Sequence, residues 1–192
     1  VATLSEVEIA RLLAPYFPAP PAELLTQLST YLDLLVKWNQ RTNLSAIREP
    51  REMVSRHFGE SLFAARQLPF GKTLLDLGSG AGFPGLPIAL VRPEMVVTLA
   101  ESQNKKASFL REVVRTLGVS VEVWAGRAED LPGERRFDGI TLRAVDRSEA
   151  ALAVARGRLA VGGAIFHFTS GACAGEDVRM PGSDLMRIAV YR

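Results

Sequence analysis

Apolar residues recur at helical spacing at the start of the chain and at strand spacing from Thr73 onward. Val7, Ile9, Ala10, Leu12 and Leu13 predict a short helix over Ser5 to Leu13, ended by the three prolines between Tyr16 and Pro21. Leu24, Leu25, Leu28, Tyr31, Leu32, Leu35 and Trp38 fall on one face of a second helix of about Pro21 to Trp38. The pattern then changes. Leu74, Leu75 and Leu77 make a compact apolar run of the kind a buried parallel strand shows, and Met95 to Ala100, Val121 to Trp124 and Phe137 to Leu142 repeat it. Asn104 to Leu117 reads as a helix with Ala107, Leu110, Val113, Val114 and Leu117 inward, Asn104 as its cap and Gly118 as its stop. Ala150 to Leu159 predicts another helix, Gly162-Gly163 a turn, Ala164 to Phe168 a fifth strand and Leu185 to Tyr191 a last one. Strands alternating with helices specify an α/β fold with a mostly parallel sheet. Residues 1–62 are expected to form an N-terminal helical cap, part of the same domain as a core over 63–192.

The first strand ends in Asp76-Leu77-Gly78-Ser79-Gly80-Ala81-Gly82-Phe83-Pro84, a carboxylate followed by glycines at every second position. Glycines let the backbone adopt conformations closed to other residues and let a ligand reach main-chain N–H groups. Pro84 or Pro87 can open the next helix and Pro93 close it. A dinucleotide fingerprint would read G-x-G-x-x-G, which this is not. Asp-x-Gly-x-Gly-x-Gly resembles the S-adenosylmethionine loop of class I methyltransferases, which implies their Rossmann-like fold. That cofactor has an amino-acid end and no pyrophosphate, so a carboxylate for the ammonium and bare backbone for the ribose side suit it. Asp76, Gly78, Ser79, Gly80, Gly82 and Phe83 are the candidate cofactor contacts. Glu101 follows the second strand, where a doubly wound sheet places a carboxylate within reach of both ribose hydroxyls.

Composition narrows the class. With 192 residues, 47% of them hydrophobic and 23% charged, the chain can build one well-cored domain. No apolar run approaches the roughly 18 residues of a membrane span, and a cytoplasmic location without a membrane partner is the expectation. A single cysteine, Cys173, excludes an internal disulfide and is expected to be inert; with His57 and His167 as the two histidines, no metal cluster is expected. The excess of Lys and Arg over Asp and Glu is only two, so distribution decides whether a nucleic acid binds. Lys105 and Lys106 lie near the strand ends, where they can hold phosphates.

Trp38-Asn39, Asn43-Leu44-Ser45, His57-Phe58-Gly59-Glu60-Ser61-Leu62 and Asp76 to Pro87, in this order, resemble the RsmG (GidB) family of bacterial 16S ribosomal RNA guanine-N7 methyltransferases. The resemblance runs from about Tyr31 to Gly171, with Ser45 where the family usually has threonine and Glu60 where it usually has aspartate. It implies S-adenosylmethionine as cofactor and 16S ribosomal RNA or the small ribosomal subunit as partner; a monomer is the expectation, and no motif in the sequence sets the oligomeric state. It also implies roles for Ala128 and Glu129, in the loop that reads adenine, and for Arg143, which touches either the cofactor carboxylate or the target base and is the candidate catalytic residue. His57 falls on the RNA side. Phe83 is either a platform for an unstacked base or part of the cofactor pocket. Thr169-Ser170-Gly171 stands where the family usually has Lys-Gly, and the 21 residues beyond Gly171 are expected to hold one strand and a shortened end.

Guanine N7 carries an in-plane lone pair and no proton, so methylation needs alignment rather than a base, nucleophile or metal. Two rival classes share the observations. A nicotinamide-dependent oxidoreductase would use the same strand, loop and Glu101, and a noncatalytic RNA-binding protein would retain the fold.

Overall fold

The computed structural model describes residues 2–144, 148–170 and 176–192; Cys173 and Gly171 lie outside them. Helices α1 (Glu6–Leu13) and α2 (Ala22–Asn39) follow the expected periodicity. The Ser5 hydroxyl caps α1 by accepting the Glu8 N–H at 3.3 Å. A short turn α3 (Pro50–Glu52) leads through a π-helical segment, Met53–Gly59, into α4 (Glu60–Gln67). The core then alternates β1 (Thr73–Leu77), α5 (Gly85–Val91), β2 (Val96–Ala100), α6 (Asn104–Leu117), β3 (Val121–Trp124), β4 (Phe137–Arg143), α7 (Ser148–Arg158) and β5 (Leu159–Thr169). It closes with β6 (Glu176–Arg179) and β7 (Arg187–Tyr191).

The seven strands form one sheet in the order β3-β2-β1-β4-β5-β7-β6. Neighbours from β3 to β5 pair in parallel, while β7 runs antiparallel to both β5 and β6. Successive residues of a strand face opposite sides of the sheet. Leu74 therefore joins a large core with Leu28, Tyr31, Phe58, Leu99 and Phe109, and Leu75 a smaller one with Ile140, Ala151 and Ala155. The N-terminal helices thus bury their apolar faces in the same core as β1, β2 and α5.

Three details differ from the pattern-based expectation. Gly162-Gly163 makes no turn: β5 runs through it, with Gly162 at φ +77 and a register shift opposite Phe137 and Gly139. A glycine at positive φ in a strand gives a bulge rather than an end. The last stretch holds two strands rather than one, because the polar segment Glu176–Arg179 pairs with β7 as an edge strand. Asn104 does not cap α6; Gln103 holds the cap position with no side-chain bond, while Gly118, at φ +65, ends the helix as expected.

Candidate active site

Register places the chemistry. Leu77 pairs with Ala100 of β2 and Leu142 of β4, so the next residues along, Gly78, Glu101 and Arg143, leave three adjacent strands at one edge. On β5, Leu142 and Arg143 pair with His167 and Phe168. That edge opens into a cavity of about 600 Å³, within the usual size of a small-molecule site. Gly78, Ser79, Gly80, Phe83, Glu101 and Arg143 line it, with Ser45, Arg56, His57 and Lys106 on the N-terminal and α6 sides and His167, Thr169 and Ser170 on the β5 side.

The glycine loop is held from both sides. Gly78 and Ser79 donate their N–H groups to the Ala100 carbonyl at 2.9 and 3.0 Å, tying the loop to β2. From α2, the buried Tyr31 hydroxyl donates to the Ala81 carbonyl, and a side chain at Gly82 would run into that hydroxyl. Gly80 has φ +58, and a Cβ built on it meets nothing closer than 3.9 Å. Gly80, where a side chain would have space but a strained backbone, lines the cavity.

Glu101 is 5% exposed. Its carboxylate accepts the Gly80 N–H at 2.9 Å and the Gln103 N–H at 2.7 Å, so it links the loop to the start of α6 and keeps lone pairs for a ligand. Asp76 is placed differently. Only 1% exposed, it accepts the Thr141 hydroxyl at 2.7 Å and the Gly85 N–H at 3.2 Å, and it is not among the cavity's lining residues. Burial raises its pKa to about 6, opposed by those hydrogen bonds, by Ser79 and by Arg143.

Phe83 lines the cavity and is 6% exposed. Two rings stack on it: Tyr31, with centroids 5.3 Å apart and planes at 5°, and His57, at 4.7 Å and 15°. Little of the ring is left open to a ligand.

Arg143 pairs with Glu60 of α4. Its Nη2 donates to Glu60 Oε2 at 2.6 Å and to the Arg56 carbonyl at 2.8 Å, while Nη1 is buried with no partner among the described residues. The two side chains are 11% and 4% exposed. Burial raises the pKa of Glu60 and lowers that of Arg143, and in both cases outweighs the attraction between them. The π-helical segment that precedes Glu60 also carries His57. Its pKa is lowered to about 3 by burial first and then by Arg143 and Arg56, so the imidazole is neutral. A π-helical turn inside a helix often accompanies a functional site. Here Gly59 permits it to pack, since a Cβ there would lie 2.6 Å from the Tyr16 ring.

Asn39, 5% exposed, organises the loop above His57. Its Oδ1 accepts the Leu44 and Ser45 N–H groups, both at 3.0 Å, and its Nδ2 donates to the Ser45 and Ile47 carbonyls at 3.1 and 3.3 Å. Lys106 lines the cavity and Lys105 does not. Ala128 and Glu129 stand on a 3-10 turn outside the cavity lining; Glu129 lines a separate hollow with Arg136 and Arg158. Periodicity and spacing pointed to neither Glu60 as the partner of Arg143 nor Thr141 as the partner of Asp76. Both come from elements remote in sequence.

A parallel sheet in this order, with an antiparallel β7 and a glycine loop after β1 facing an acid after β2, defines the class I S-adenosylmethionine-dependent methyltransferases. The chain is similar in fold to the P. horikoshii TYW2 solved in complex with MeSAdo: 24% identical, TM-score 0.52, over 58% of this chain and 43% of that one. Residues 24–179 match the GidB family, rRNA small subunit methyltransferase G, and the chain belongs to that family. It is 43% identical to the ribosomal RNA small subunit methyltransferase G of Xanthomonas campestris pv. campestris (strain B100) over 75% of this chain and 68% of that protein. Against the same enzyme of Xylella fastidiosa (strain M23) the identity is 52%, over 62% and 56%.

Proposed function

We propose that the chain transfers a methyl group from S-adenosylmethionine to N7 of a guanine in 16S ribosomal RNA. The observation that carries this is the cavity at the aligned ends of β1, β2, β4 and β5, with bare backbone at Gly80 and a buried acid at Glu101, in a chain of this family. Open space at Gly80 and spare acceptor capacity at Glu101 fit the cofactor's ribose side. Gly78, Ser79, Gly82 and Phe83 shape the loop around it, and Asp76 holds the strand-to-helix junction; Ala128 and Glu129, given the adenine end by the family resemblance, stand outside this cavity and would meet that end only beyond its lining. When bound, the cofactor supplies a methyl group on a sulfonium sulfur.

The chain's own residues have little proton chemistry to perform, because N7 of guanine has a lone pair and no proton to remove. Their work is alignment, with Arg143 beside the reacting groups. Lys106 at the rim and Lys105 near it hold RNA phosphates by charge. The protein acts as a cytoplasmic monomer, its residues 1–62 a cap that holds the glycine loop through Tyr31. No described helix is long and apolar enough to cross a membrane.

Calorimetry with S-adenosylmethionine and with NADH, followed by labelled methyl transfer to naked 16S RNA and to small subunits, tests the proposal. Binding of the first cofactor with transfer to either RNA is the expected result. Binding of NADH alone would leave the oxidoreductase, and cofactor-independent RNA binding without transfer would leave the noncatalytic protein.

A further inference from the structure

His57 is fixed on one side and unpartnered on the other. Its ring lies on Phe83, and its Nε2 is 2.7 Å from the Ser45 hydroxyl oxygen. That oxygen already accepts the Ile47 N–H at 3.1 Å. Its own proton has no other acceptor among the described hydrogen bonds, and on that basis the hydroxyl is assigned as donor to Nε2 and the ring proton to Nδ1. Nδ1 is buried and has no partner among the described residues, and the same holds for Nη1 of Arg143. Both side chains line the same cavity.

The surrounding charge decides what these two donors suit. Arg143 is paired with Glu60, and Arg56 lies 3.3 Å from Glu52 and 3.9 Å from Glu60. Lys106 and Glu101, which line the same cavity, add one charge of each sign, so three cations stand with three carboxylates and leave no surplus positive charge to hold an anion. Two remaining N–H groups in a charge-balanced site match an uncharged carbonyl oxygen better than a carboxylate.

Resting on the reading that guanine N7 is the methyl acceptor, we propose that His57 Nδ1–H and Arg143 Nη1–H bind O6 of the target guanine, and that His57 is a specificity-determining residue. O6 lies beside N7 on the same edge of the base, so a guanine turned to offer N7 brings O6 with it. Adenine offers an N7 as well, but carries an amino donor where guanine has O6. Two buried N–H groups would then face two more, and a site built to bond one partner rejects the other because its own polar groups stay unpaired.

Two variants test this. His57→Phe keeps a ring on Phe83 and removes the donor; His57→Asn places an amide N–H near the position of Nδ1. Each is compared with the unaltered protein in single-turnover methylation of small-subunit RNA. The nucleotide that the unaltered protein modifies is either guanine or 2,6-diaminopurine, which differs at position 6. Calorimetry with S-adenosylmethionine and with 5′-methylthioadenosine, which lacks the carboxylate, accompanies the rates and reports whether each variant is folded.

The unaltered protein should prefer guanine strongly. His57→Phe should slow the guanine reaction by roughly ten- to a hundredfold, lose most of the preference and bind S-adenosylmethionine within about twofold of normal, and His57→Asn should recover part of both rate and preference. An undiminished preference in His57→Phe would overturn the inference while leaving the methylation reading intact. So would a loss confined to S-adenosylmethionine affinity and absent for 5′-methylthioadenosine, which would assign the donors to the cofactor carboxylate. Failure of the unaltered protein to methylate N7 of any guanine would instead remove the reading itself, and this inference with it.

Discussion

Replacing Asp76 with asparagine isolates a cost that the fold places at the end of its first strand. The carboxylate is fully buried and titrates at about 6, raised from 3.8, whereas in the unfolded chain it titrates near its ordinary value of about 3.9. Between those values the folded protein holds a proton that the unfolded chain has released. Stability from this group is therefore fully present below about pH 4 and is lost as pH rises through about 6. At about 1.36 kcal/mol per pH unit, the difference across that window is about 3 kcal/mol. The asparagine amide is neutral throughout. Its oxygen can accept the Gly85 N–H, and its nitrogen can donate to Thr141, whose hydroxyl turns toward the Leu75 carbonyl 3.5 Å away. Urea unfolding at pH 4 and pH 7.5 measures the effect. Relative to the unaltered protein, Asp76→Asn should gain about 3 kcal/mol on going from the lower to the higher pH. Parallel stability profiles for the two proteins would refute the reasoning. Because Asp76 stands outside the cavity lining, the variant should also bind S-adenosylmethionine within about threefold of normal, under 1 kcal/mol. A loss of tenfold or more would mean that the carboxylate reaches the cofactor's ammonium, the role that the loop pattern suggests.

Glu101→Ala should weaken S-adenosylmethionine by on the order of 2–3 kcal/mol, since it removes charge-assisted bonds to the ribose and frees the Gly80 N–H from its acceptor; unchanged affinity in calorimetry would exclude the ribose role. Arg143→Ala leaves Glu60 buried without its partner and should cost about 3–5 kcal/mol of stability, whereas Arg143→Met combined with Glu60→Gln should recover most of it yet still methylate slowly at saturating RNA. Thermal melts beside single-turnover rates separate the two effects, and a full rate in the double variant would remove Arg143 from the reaction. Alanine at both Lys105 and Lys106 should leave cofactor affinity unchanged and flatten the salt dependence of RNA binding by roughly 0.7–0.9 log units per lost contact. Salt-titrated binding checks this, and an unchanged slope would count against phosphate contacts there.

Local rules made most of the framework legible. Leu74-Leu75-Leu77, the α6 face and Gly118 each carry their signal within a few residues, so β1 and α6 fall where the pattern puts them. β6 escaped because Glu176–Arg179 holds a single apolar residue and earns its place through pairing with β7. The glycine loop, Glu101 and Arg143 were readable because parallel register brings consecutive strand ends to one edge. Partners drawn from other elements were not: Glu60 meets Arg143 across 83 positions and Thr141 meets Asp76 across 65. Phe83 is stacked on by two rings, from α2 and from a π-helical turn, that no spacing in the sequence relates to it.

The most direct test of the central claim is to digest 16S RNA after incubation with the protein and labelled S-adenosylmethionine, and to identify the nucleoside that carries the label. The account predicts label in 7-methylguanosine, at one position, and none when Glu101 is replaced by alanine at limiting cofactor. Label on any other base or ring position, or none at all from a protein that binds the cofactor, would contradict it.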